Sequence, residues 1–575
     1  MVAGEPGAGG DAASSSILNV RIPAPHGLTA PVDIMMRDGR IAKISAAGTN
    51  ARSGGDGDQV VDGAGRIAMP GLVDVHCHGA AAVFDPDIQL ALLRQGVTSI
   101  LVGQDGIGYA PSDRASFEWS CEYFAGIDGA TPRVGPGRFA DWLRAYDGAT
   151  PLNVGAFVPH GSLRYLVMGA AQRPANTNEI VWMARVLRNS LAAGALGLAT
   201  GLEYVPAAWA SRDELVALLR EVRAARAVHN SHMRGYEALA PGAVAELIEL
   251  ALAAGGTDTH IAHYHGESGL LGSLLDDFAT ARLSVTFDSY PYLRGCSLLA
   301  MVSLPTWLPL ADPAACLRII SNDDGAPGMS RSEILGKGDG DATGSSTARI
   351  REHLAGLDDL WPRTTLAWVS GDDPATGKPM GWVAGLTVPE VAARLCVSAP
   401  DAVLRLLVAS KLQAICVFAQ PPTNSEASVL ALANRPEHLG ASDAIYVPFG
   451  AASFSAESRP HPRGWGAMAR WIALRTPGTW SWHDAAGHLS ARAARRFGLG
   501  RRGVIEPGAV ADLFLVDPAR LRDTATYEAP RSLAEGIDDV WVAGSRVLAG
   551  GALTGATPGA ALRRGRTTTT DTPAA

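Results

Sequence analysis

Two histidines separated by one residue stand out as side chains that could do chemistry. His76 and His78 lie in the segment DVHCHG, directly after the apolar stretch MPGLV. On an extended strand, residues i and i+2 point to the same side, so both imidazoles can face one point. Imidazole nitrogen is a preferred ligand of zinc and of similar divalent ions. The pair therefore predicts a metal site at the end of a strand.

Further ligand candidates follow other apolar stretches of the chain. They are Gln104, Asp105, His232, His263, His265 and Asp443. If these stretches are strands of a barrel, their carboxyl ends meet at one mouth, where barrel enzymes carry their active sites. The side chains are then expected to complete the metal site that begins with the two histidines.

A metal site of this composition predicts a hydrolase. A bound divalent ion lowers the pKa of water towards neutrality and polarises a carbonyl group. A carboxylate beside the ion can take the water proton and pass it to a leaving amine, and Asp443 is the candidate for this general acid and base. The predicted reaction is hydrolysis of an amide or a related C–N bond.

The other histidines are expected to play structural parts. His229 and His260 fall earlier in their strands and are predicted to lie in the core or behind the ligands. Cys77 should point to the opposite face of the strand from its two histidine neighbours. Five more histidines lie in loop or helical segments and are predicted to be at the surface: His26, His353, His438, His483 and His488.

The elements that must position these side chains alternate along the middle of the chain. Short apolar stretches are separated by helical patterns over residues 177–194, 211–225 and 242–255, the second of which begins with a capping box of Ser211 and Glu214. Such alternation predicts an α/β fold with a parallel sheet. No glycine-rich nucleotide-binding motif sits at a strand-to-helix turn, so a (β/α)8 TIM-type barrel is favoured over a doubly wound sheet.

Both ends of the chain are rich in short strand-like segments joined by turn residues. We predict that residues 17–68 and 504–563 together build a small β-sandwich domain. The barrel is then expected to occupy residues 69–503.

Three polar or low-complexity regions complete the expected organisation. An insertion in the barrel is predicted at about residues 300–370, and within it residues 320–345 are rich in Gly, Asp and Ser. Whether that polar segment forms a lid is left open. The N-terminus, residues 1–16, and the tail, residues 564–575, are predicted to be disordered.

Composition narrows the class of partner. The formal net charge is −8 and the isoelectric point about 6.0, which gives no electrostatic reason to expect nucleic acid or an anionic membrane. No uninterrupted run of 18 apolar residues predicts a membrane span. The six cysteines form no CxxC pair, so a reducing, cytoplasmic setting is expected. The expected partner is a small molecule. The sequence does not indicate whether the protein is a monomer or an oligomer.

Several longer motifs resemble a known group of enzymes. PGLVDVHCHG, GASDA and EPGAVADLFLVDP are similar to segments of the amidohydrolase superfamily. The combination of SHMR, DSYPY, HPR and RDTATYE resembles, more narrowly, the N-acyl-D-amino-acid deacylases, also called D-aminoacylases. The resemblance spans residues from about 17 to 563. It implies hydrolysis of the amide bond of N-acyl-D-amino acids, with one or two divalent ions per chain and zinc as the expected metal.

The resemblance also implies a role for each matching position. His76 and His78 match the pair that holds the more exposed metal, and His232 and His263 match the pair that holds the tightly bound zinc. Asp443 matches the general acid and base, which also approaches the exposed metal.

Two further matches concern the substrate carboxylate. Arg463, in HPR, and Tyr290, in DSYPY, match the residues that contact this group in the family. Arginine suits the task because its planar guanidinium can bind a carboxylate through two parallel hydrogen bonds.

Three positions depart from the family pattern. Asp105 replaces the cysteine thiolate of the tight zinc site, and its carboxylate can bridge two metals while shifting selectivity towards Mn, Co or Fe. His265 replaces a lysine and Cys296 replaces a serine, both on the side of the substrate carboxylate. These two changes put the identity of the substrate in question.

Two alternatives stay open. A cyclic amidase of the hydantoinase or dihydroorotase type is favoured by the missing lysine and serine, and is disfavoured by Arg463 and Tyr290. A non-catalytic barrel that serves in binding or assembly is suggested by the change from cysteine to Asp105. The five other candidate metal ligands argue against it.

Overall fold

The computed structural model describes residues 15–49, 59–129, 132–321, 346–448, 458–474 and 480–565. The disorder predicted for the two ends of the chain and the polar segment 320–345 fall almost wholly outside these ranges.

Parallel strands separated by helices form the middle of the chain, which confirms the predicted α/β class. One sheet joins Leu72–Asp74, Val97–Val102 and Asn153–Ala156 side by side. A six-stranded sheet follows, in the spatial order Val158–Pro159, Gly197–Gly201, Val228–His232, Asp258–Ile261, Val285–Ser289 and His438–Gly440. Cys77–His78 pairs in parallel with Ala444–Ile445.

The helices have 5 to 16 residues, or about one and a half to four and a half turns. The described α-helices are Pro86–Leu93, Arg114–Tyr123, Phe139–Arg144, His160–Met168, Thr177–Ala192, Arg212–Ala224, Ala240–Ala253, Ser268–Thr280, Leu299–Ser303, Pro313–Ile320, Ser346–Ala355, Val388–Leu395, Ala399–Ala409, Glu426–Ala433, Arg463–Ala473, Trp482–Ala486 and Arg492–Arg496. Within the described ranges, no helix is both long and apolar enough to cross a bilayer.

The predicted capping box at the start of Arg212–Ala224 is half right. Ser211 does cap the helix, because its hydroxyl accepts the backbone N–H of Glu214 at 3.3 Å. The Glu214 side chain does not return to the cap. It lies buried between Arg164, which donates to it, and His160, whose Nε2 is 2.8 Å from its carboxylate. Neutralising a buried guanidinium takes precedence over closing the box, since an unpaired buried charge is costly.

Strands from both ends of the chain share one sheet. Ile67–Pro70 pairs antiparallel with Leu513–Val516, and the sheet continues through Ile537–Val542, Ser545–Ala549 and Ala552–Leu553. A second sheet contains Ser15–Val20, Val32–Arg37, Arg40–Ala46 and Gln59–Asp62. Ile17, Ile34, Leu513 and Trp541 pack between the two sheets. The last strand, Ala561–Leu562, lies beside Asn153–Ala156 instead.

A separate antiparallel sheet lies between the strands Val285–Ser289 and His438–Gly440 in sequence. It consists of Arg294–Leu298, Ile415–Ala419 and Thr364–Trp368. Helices pack on it around an apolar core of its own, which includes Leu366, Ile415 and Leu406. This unit forms one wall of the cavity described below.

Two of the five histidines predicted at the surface are buried. His26, His353 and His483 are exposed as expected. His438 and His488 are 0% and 3% exposed, so the prediction is wrong for them. His438 Nε2 lies 3.1 Å from the Ser289 hydroxyl and the ring of His488 stacks on Trp480, contacts that supply polar and aromatic partners inside the fold.

The strands approach each other so closely at their carboxyl ends that one glycine is required there. A Cβ atom on Gly201 would lie 2.0 Å from the backbone oxygen of Asp105. Gly201→Ala is therefore expected to displace the Asp105 loop and lower the free energy of unfolding by about 1–3 kcal/mol. Gly242→Ala is the control, because its Cβ would meet nothing within 4 Å. Thermal unfolding of both variants at the same temperature would contradict this packing.

Candidate metal centre

Predicted ligands from five separate chain segments converge on one place. His76, His78, Asp105 and Asp443 form one group whose candidate donor atoms all lie within 4.8 Å of one another. Asp105, His232 and His263 form a second such group. All six residues are buried. The strand ends thus bring together six of the eight ligand candidates, and Gln104 and His265 belong to neither group.

Asp105 belongs to both groups, and its two oxygens face different ways. Oδ2 lies 3.5 Å from His76 Nε2 and 3.4 Å from His78 Nε2. Oδ1 lies 3.6 Å from His263 Nε2 and 3.8 Å from His232 Nδ1. One carboxylate oxygen therefore points into each group, so Asp105 could contribute one ligand atom to an ion held by either group.

Unusual backbone conformations aim the carboxylates. Asp105 has φ +54° and Asp443 has φ +51°, in the left-handed region that costs a non-glycine residue roughly 1–2 kcal/mol. Gly103 and Gly106 flank Asp105 with φ of +77° and +72°. Backbone strain of this kind persists where the surrounding structure fixes it, and it concentrates at functional sites.

Asp443 completes the first group and lies between the strands His438–Gly440 and Ala444–Ile445. Its Oδ1 lies 3.5 Å from His76 Nε2 and 3.6 Å from His78 Nε2. Its backbone N–H donates to the carbonyl oxygen of His76 at 2.9 Å, which links the segment before Ala444–Ile445 to the segment before Cys77–His78. The other oxygen, Oδ2, lies 2.8 Å from Arg463 Nη1.

The donor set fits divalent cations. His76 Nε2 and Asp105 Oδ1 are buried atoms without a hydrogen-bond partner, as expected of atoms that coordinate a metal. Burial disfavours a charged His76, yet Asp105, Asp288 and Asp443 hold its pKa well above the usual range. The negative field that favours a proton there favours a cation as well. Imidazole and carboxylate ligands suit zinc, manganese, cobalt and iron.

Carboxylates that the sequence reasoning missed stand behind the histidines. Asp288 Oδ2 lies 3.3 Å from His76 Nδ1, and Asp288 Oδ1 accepts the backbone N–H of His263 at 2.8 Å. Glu203 lies 2.9 Å from His232 Nε2. Such partners fix the ring orientation and leave the other nitrogen for the metal. Glu203 follows a strand end, the same signal that identified the ligands, while Asp288 lies in the DSYPY motif.

Asp128 is a third such carboxylate, and it comes from a loop. It is 1% exposed, and neither of its oxygens has a hydrogen-bond partner among the described residues. Burial raises its pKa to about 6. Its Oδ1 lies 3.8 Å from His78 Nδ1, a buried nitrogen that also lacks a partner. The charge of His78 acts to lower the pKa of Asp128, whereas the charge of Asp105 acts to raise it. Asp128 and His78 therefore attract each other electrostatically.

The other histidines and Gln104 do not face the metal groups. Gln104 donates through Nε2 to the backbone oxygens of Val75 and Leu101 at 2.8 Å and so ties two strands together. His229 Nε2 lies 3.0 Å from the Thr200 hydroxyl. His260 Nε2 lies 2.9 Å from Asp288, which places it behind the ligands.

A cavity of about 690 Å³ opens beside the two groups. Tyr290, His265 and Cys296, three of the four residues predicted on the substrate side, line it. His265 donates through Nδ1 to the backbone oxygen of His263 at 2.7 Å, and burial lowers its pKa to about 4. It is therefore uncharged near neutral pH and does not replace the positive charge of a lysine.

Arg463, the fourth predicted residue, lies behind the cavity wall. It is 1% exposed, and its guanidinium lies 4.6 Å from the centre of the Tyr290 ring. Its Nη1 forms the ion pair with Asp443. Burial alone would raise the pKa of Asp443, but Arg463 and His76 outweigh it and lower that pKa to about 2. Asp443 is therefore ionised at neutral pH.

Asp128→Asn tests the pairing of Asp128 with His78. Removal of the charge behind His78 is expected to weaken binding of a divalent ion to the His76–His78 group about 10-fold to 100-fold. Binding at the group of Asp105, His232 and His263 should not change. Titration with Co²⁺, followed by visible absorption, measures the two equivalents separately.

The control is Asp141→Asn, at an exposed carboxylate paired with Arg138 and Arg144. If both equivalents bind to Asp128→Asn as tightly as to the control, Asp128 does not support His78.

Proteins with a similar sequence run nearly the full length of the chain. A D-aminoacylase of Alcaligenes xylosoxydans xylosoxydans is 28% identical over 549 residues, which cover 92% of this chain and 93% of that protein. An N-acyl-D-aspartate deacylase of the same organism is 28% identical over 538 residues, or 93% and 91% of the two chains. No protein-family model matches the chain.

A solved structure is similar over the same extent. The N-acyl-D-glutamate deacylase of Bordetella bronchiseptica, crystallised with zinc and a phosphonate mimic of the tetrahedral intermediate, superposes with a TM-score of 0.72. It is 25% identical, and the match covers 96% of this chain and all of that one. Over nearly its whole length the chain is therefore similar to D-aminoacylases and N-acyl-D-amino-acid deacylases, and the converging histidines and aspartates fit that similarity.

Proposed function

We propose that the protein hydrolyses the amide bond of N-acyl-D-amino acids and uses one or two divalent ions, with zinc as the first candidate. The observation that carries this proposal is the pair of ligand groups joined by Asp105 beside the 690 Å³ cavity. Similarity to deacylases over more than nine-tenths of the chain supports the type of substrate.

We propose that the parallel strands close into one eight-stranded barrel. Apart from the three strands of the separate antiparallel sheet, successive strands pair in parallel, and only Phe157 separates Asn153–Ala156 from Val158–Pro159. The pairing of Ala444–Ile445 with Cys77–His78 supports closure, because it joins the eighth strand of the proposed barrel to the first.

The domain division is proposed on similar grounds. Residues 17–68 and 504–563 would form a β-sandwich around a barrel of residues 69–503. The antiparallel pairing of Ile67–Pro70 with Leu513–Val516 supports a domain built from both ends.

The roles of the ligands follow from their placement. We assign one ion to His76, His78, Asp105 and Asp443, and the other to Asp105, His232 and His263. When bound there, a divalent ion lowers the pKa of water and polarises the amide carbonyl. Asp288, Glu203 and Asp128 hold the imidazoles in place from behind.

Asp443 then moves the proton. Its ionised carboxylate accepts a proton from the attacking water while the water oxygen bonds to the carbonyl carbon. The same carboxyl group returns that proton to the amide nitrogen as the C–N bond breaks. The products are a carboxylate from the acyl group and a free amino acid. Arg463, on Asp443 Oδ2, keeps the other oxygen directed towards the reacting groups.

We propose that the substrate carboxylate binds beside Tyr290. The Tyr290 hydroxyl accepts a hydrogen bond from Gln420 Nε2 at 2.9 Å, so its own proton is free to be donated. Arg463 supplies positive charge from behind the ring, and Cys296, whose carbonyl oxygen lies 3.4 Å from Arg463 Nη2, lines the same wall. His265 contributes an uncharged ring at the far side.

A cyclic amidase is the second candidate. It is favoured by the uncharged His265 and by Cys296, because both weaken the recognition of a free substrate carboxylate. The non-catalytic alternative was suggested by the aspartate at position 105. Asp105 belongs to both ligand groups, so this residue does not argue against metal binding.

Hydrolysis of matched substrates tests the proposal. The metal-loaded protein should hydrolyse N-acetyl-D-leucine at least about 100-fold faster, in kcat/KM, than N-acetyl-L-leucine or 5-isobutylhydantoin. Asp443→Asn should lose about 10²-fold to 10⁴-fold in kcat, because the proton carrier is removed. The ion held by Asp105, His232 and His263 should be retained on elemental analysis. Faster turnover of the hydantoin would favour the cyclic amidase, and no turnover of any of the three would reject both enzymes.

A further inference from the structure

The cavity beside the metal groups carries acidic side chains that no metal ligand set uses. Glu203 and Glu237 both line it, and their side chains are 37% and 28% exposed. Glu203 is held by His232 through one oxygen. The carboxylate of Glu237 makes no hydrogen bond to any residue in the described part of the chain, and His265 Nε2 lies 3.8 Å from it.

Glu237 is held at the cavity in an unfavourable backbone conformation. Its φ of +54° lies in the left-handed region, at the start of the short turn Glu237–Leu239. Partial burial raises its pKa. The preceding residue, Tyr236, stacks on His265 with ring planes 6° apart and so fixes the position of the turn. A strained residue with an unpartnered charge beside a substrate cavity is a candidate for ligand recognition.

In the described cavity lining, no arginine or lysine is without an ion-pair partner. Its one arginine or lysine is Arg234, whose Nε lies 3.1 Å from Glu246 and whose Nη1 donates to the backbone oxygens of Leu202 and Ala208. Arg363, which acts to lower the pKa of Glu237, lies outside the lining and donates to the backbone oxygens of Asp359 and Ala419.

The remaining wall is largely apolar. It includes Ile107, Ile127, Met301, Val302, Phe418 and Ile445. Such a surface takes an apolar group without a desolvation cost and an amide at a smaller cost than a carboxylate, which would lose its hydration and gain no partner.

We propose that the cavity selects N-acyl amino acids whose side chain is uncharged or basic and rejects those with an acidic side chain, with Glu237 as the specificity-determining residue. This inference rests on the proposed deacylase function. Sequence identity does not decide the matter, because the D-aminoacylase and the N-acyl-D-aspartate deacylase are each 28% identical to the chain. The charges favour one outcome, because Glu203 and Glu237 line the cavity and would repel a second carboxylate placed near them.

An isosteric pair of substrates tests the selection by charge. N-acetyl-D-glutamine and N-acetyl-D-glutamate differ by one charge at nearly equal size. The metal-loaded protein should prefer the glutamine compound by about 30-fold in kcat/KM, or about 2 kcal/mol at 1.36 kcal/mol per factor of ten. Nα-acetyl-D-lysine should be hydrolysed at least as well as the glutamate compound. A glutamate compound turned over as fast as the glutamine compound, or faster, would overturn the inference.

A substitution assigns the selection to Glu237. Glu237→Gln should reduce the glutamine-to-glutamate ratio to below about 5-fold, while Glu118→Gln, at an exposed helical residue remote from the lining, should keep it. An unchanged ratio in Glu237→Gln would remove Glu237 from this role. Failure to hydrolyse any N-acetyl-D-amino acid would reject the proposed function together with this inference, whereas good activity with the reverse preference would reject the inference alone.

Discussion

The site depends on the carboxylate of Asp105, because among the described residues it is the side chain that belongs to both ligand groups. Its two oxygens lie within 3.4–3.8 Å of four imidazole nitrogens that arrive from three other strand ends. A thiolate at this position would offer one sulfur atom, whereas a carboxylate offers two oxygens that are fixed relative to each other. The left-handed backbone at Asp105 and the absence of a side chain on Gly201 are both needed to hold it there.

The charges around this residue form two shells. Asp105 and Asp443 face the histidines directly, while Asp288, Glu203 and Asp128 stand behind them. So many buried carboxylates are costly to desolvate unless positive charge compensates them. Arg463 compensates Asp443 alone. Divalent ions held by the two ligand groups would supply positive charge beside the others.

Strand periodicity and the geometry of a parallel sheet made much of this predictable. The spacing of His76 and His78, and the ends of four later strands, predicted all six residues of the two ligand groups, together with Gln104 and His265, which belong to neither. Other features had no periodic signal. Asp128 and Glu237 come from a loop and a short turn, and their neighbours are distant in sequence. The inward turn of Glu214, the burial of His438 and the ion pair between Arg463 and Asp443 depend on tertiary partners, which residue type and spacing do not reveal.

Anomalous diffraction from crystals of the metal-loaded protein tests the central claim most directly. If Asp105 bridges the two groups, the map should contain two peaks about 3.5–4 Å apart, each within coordination distance of a different Asp105 oxygen. A single ion bound by His76, His78 and Asp443 without Asp105 would contradict the account. So would two ions of which Asp105 contacts only one.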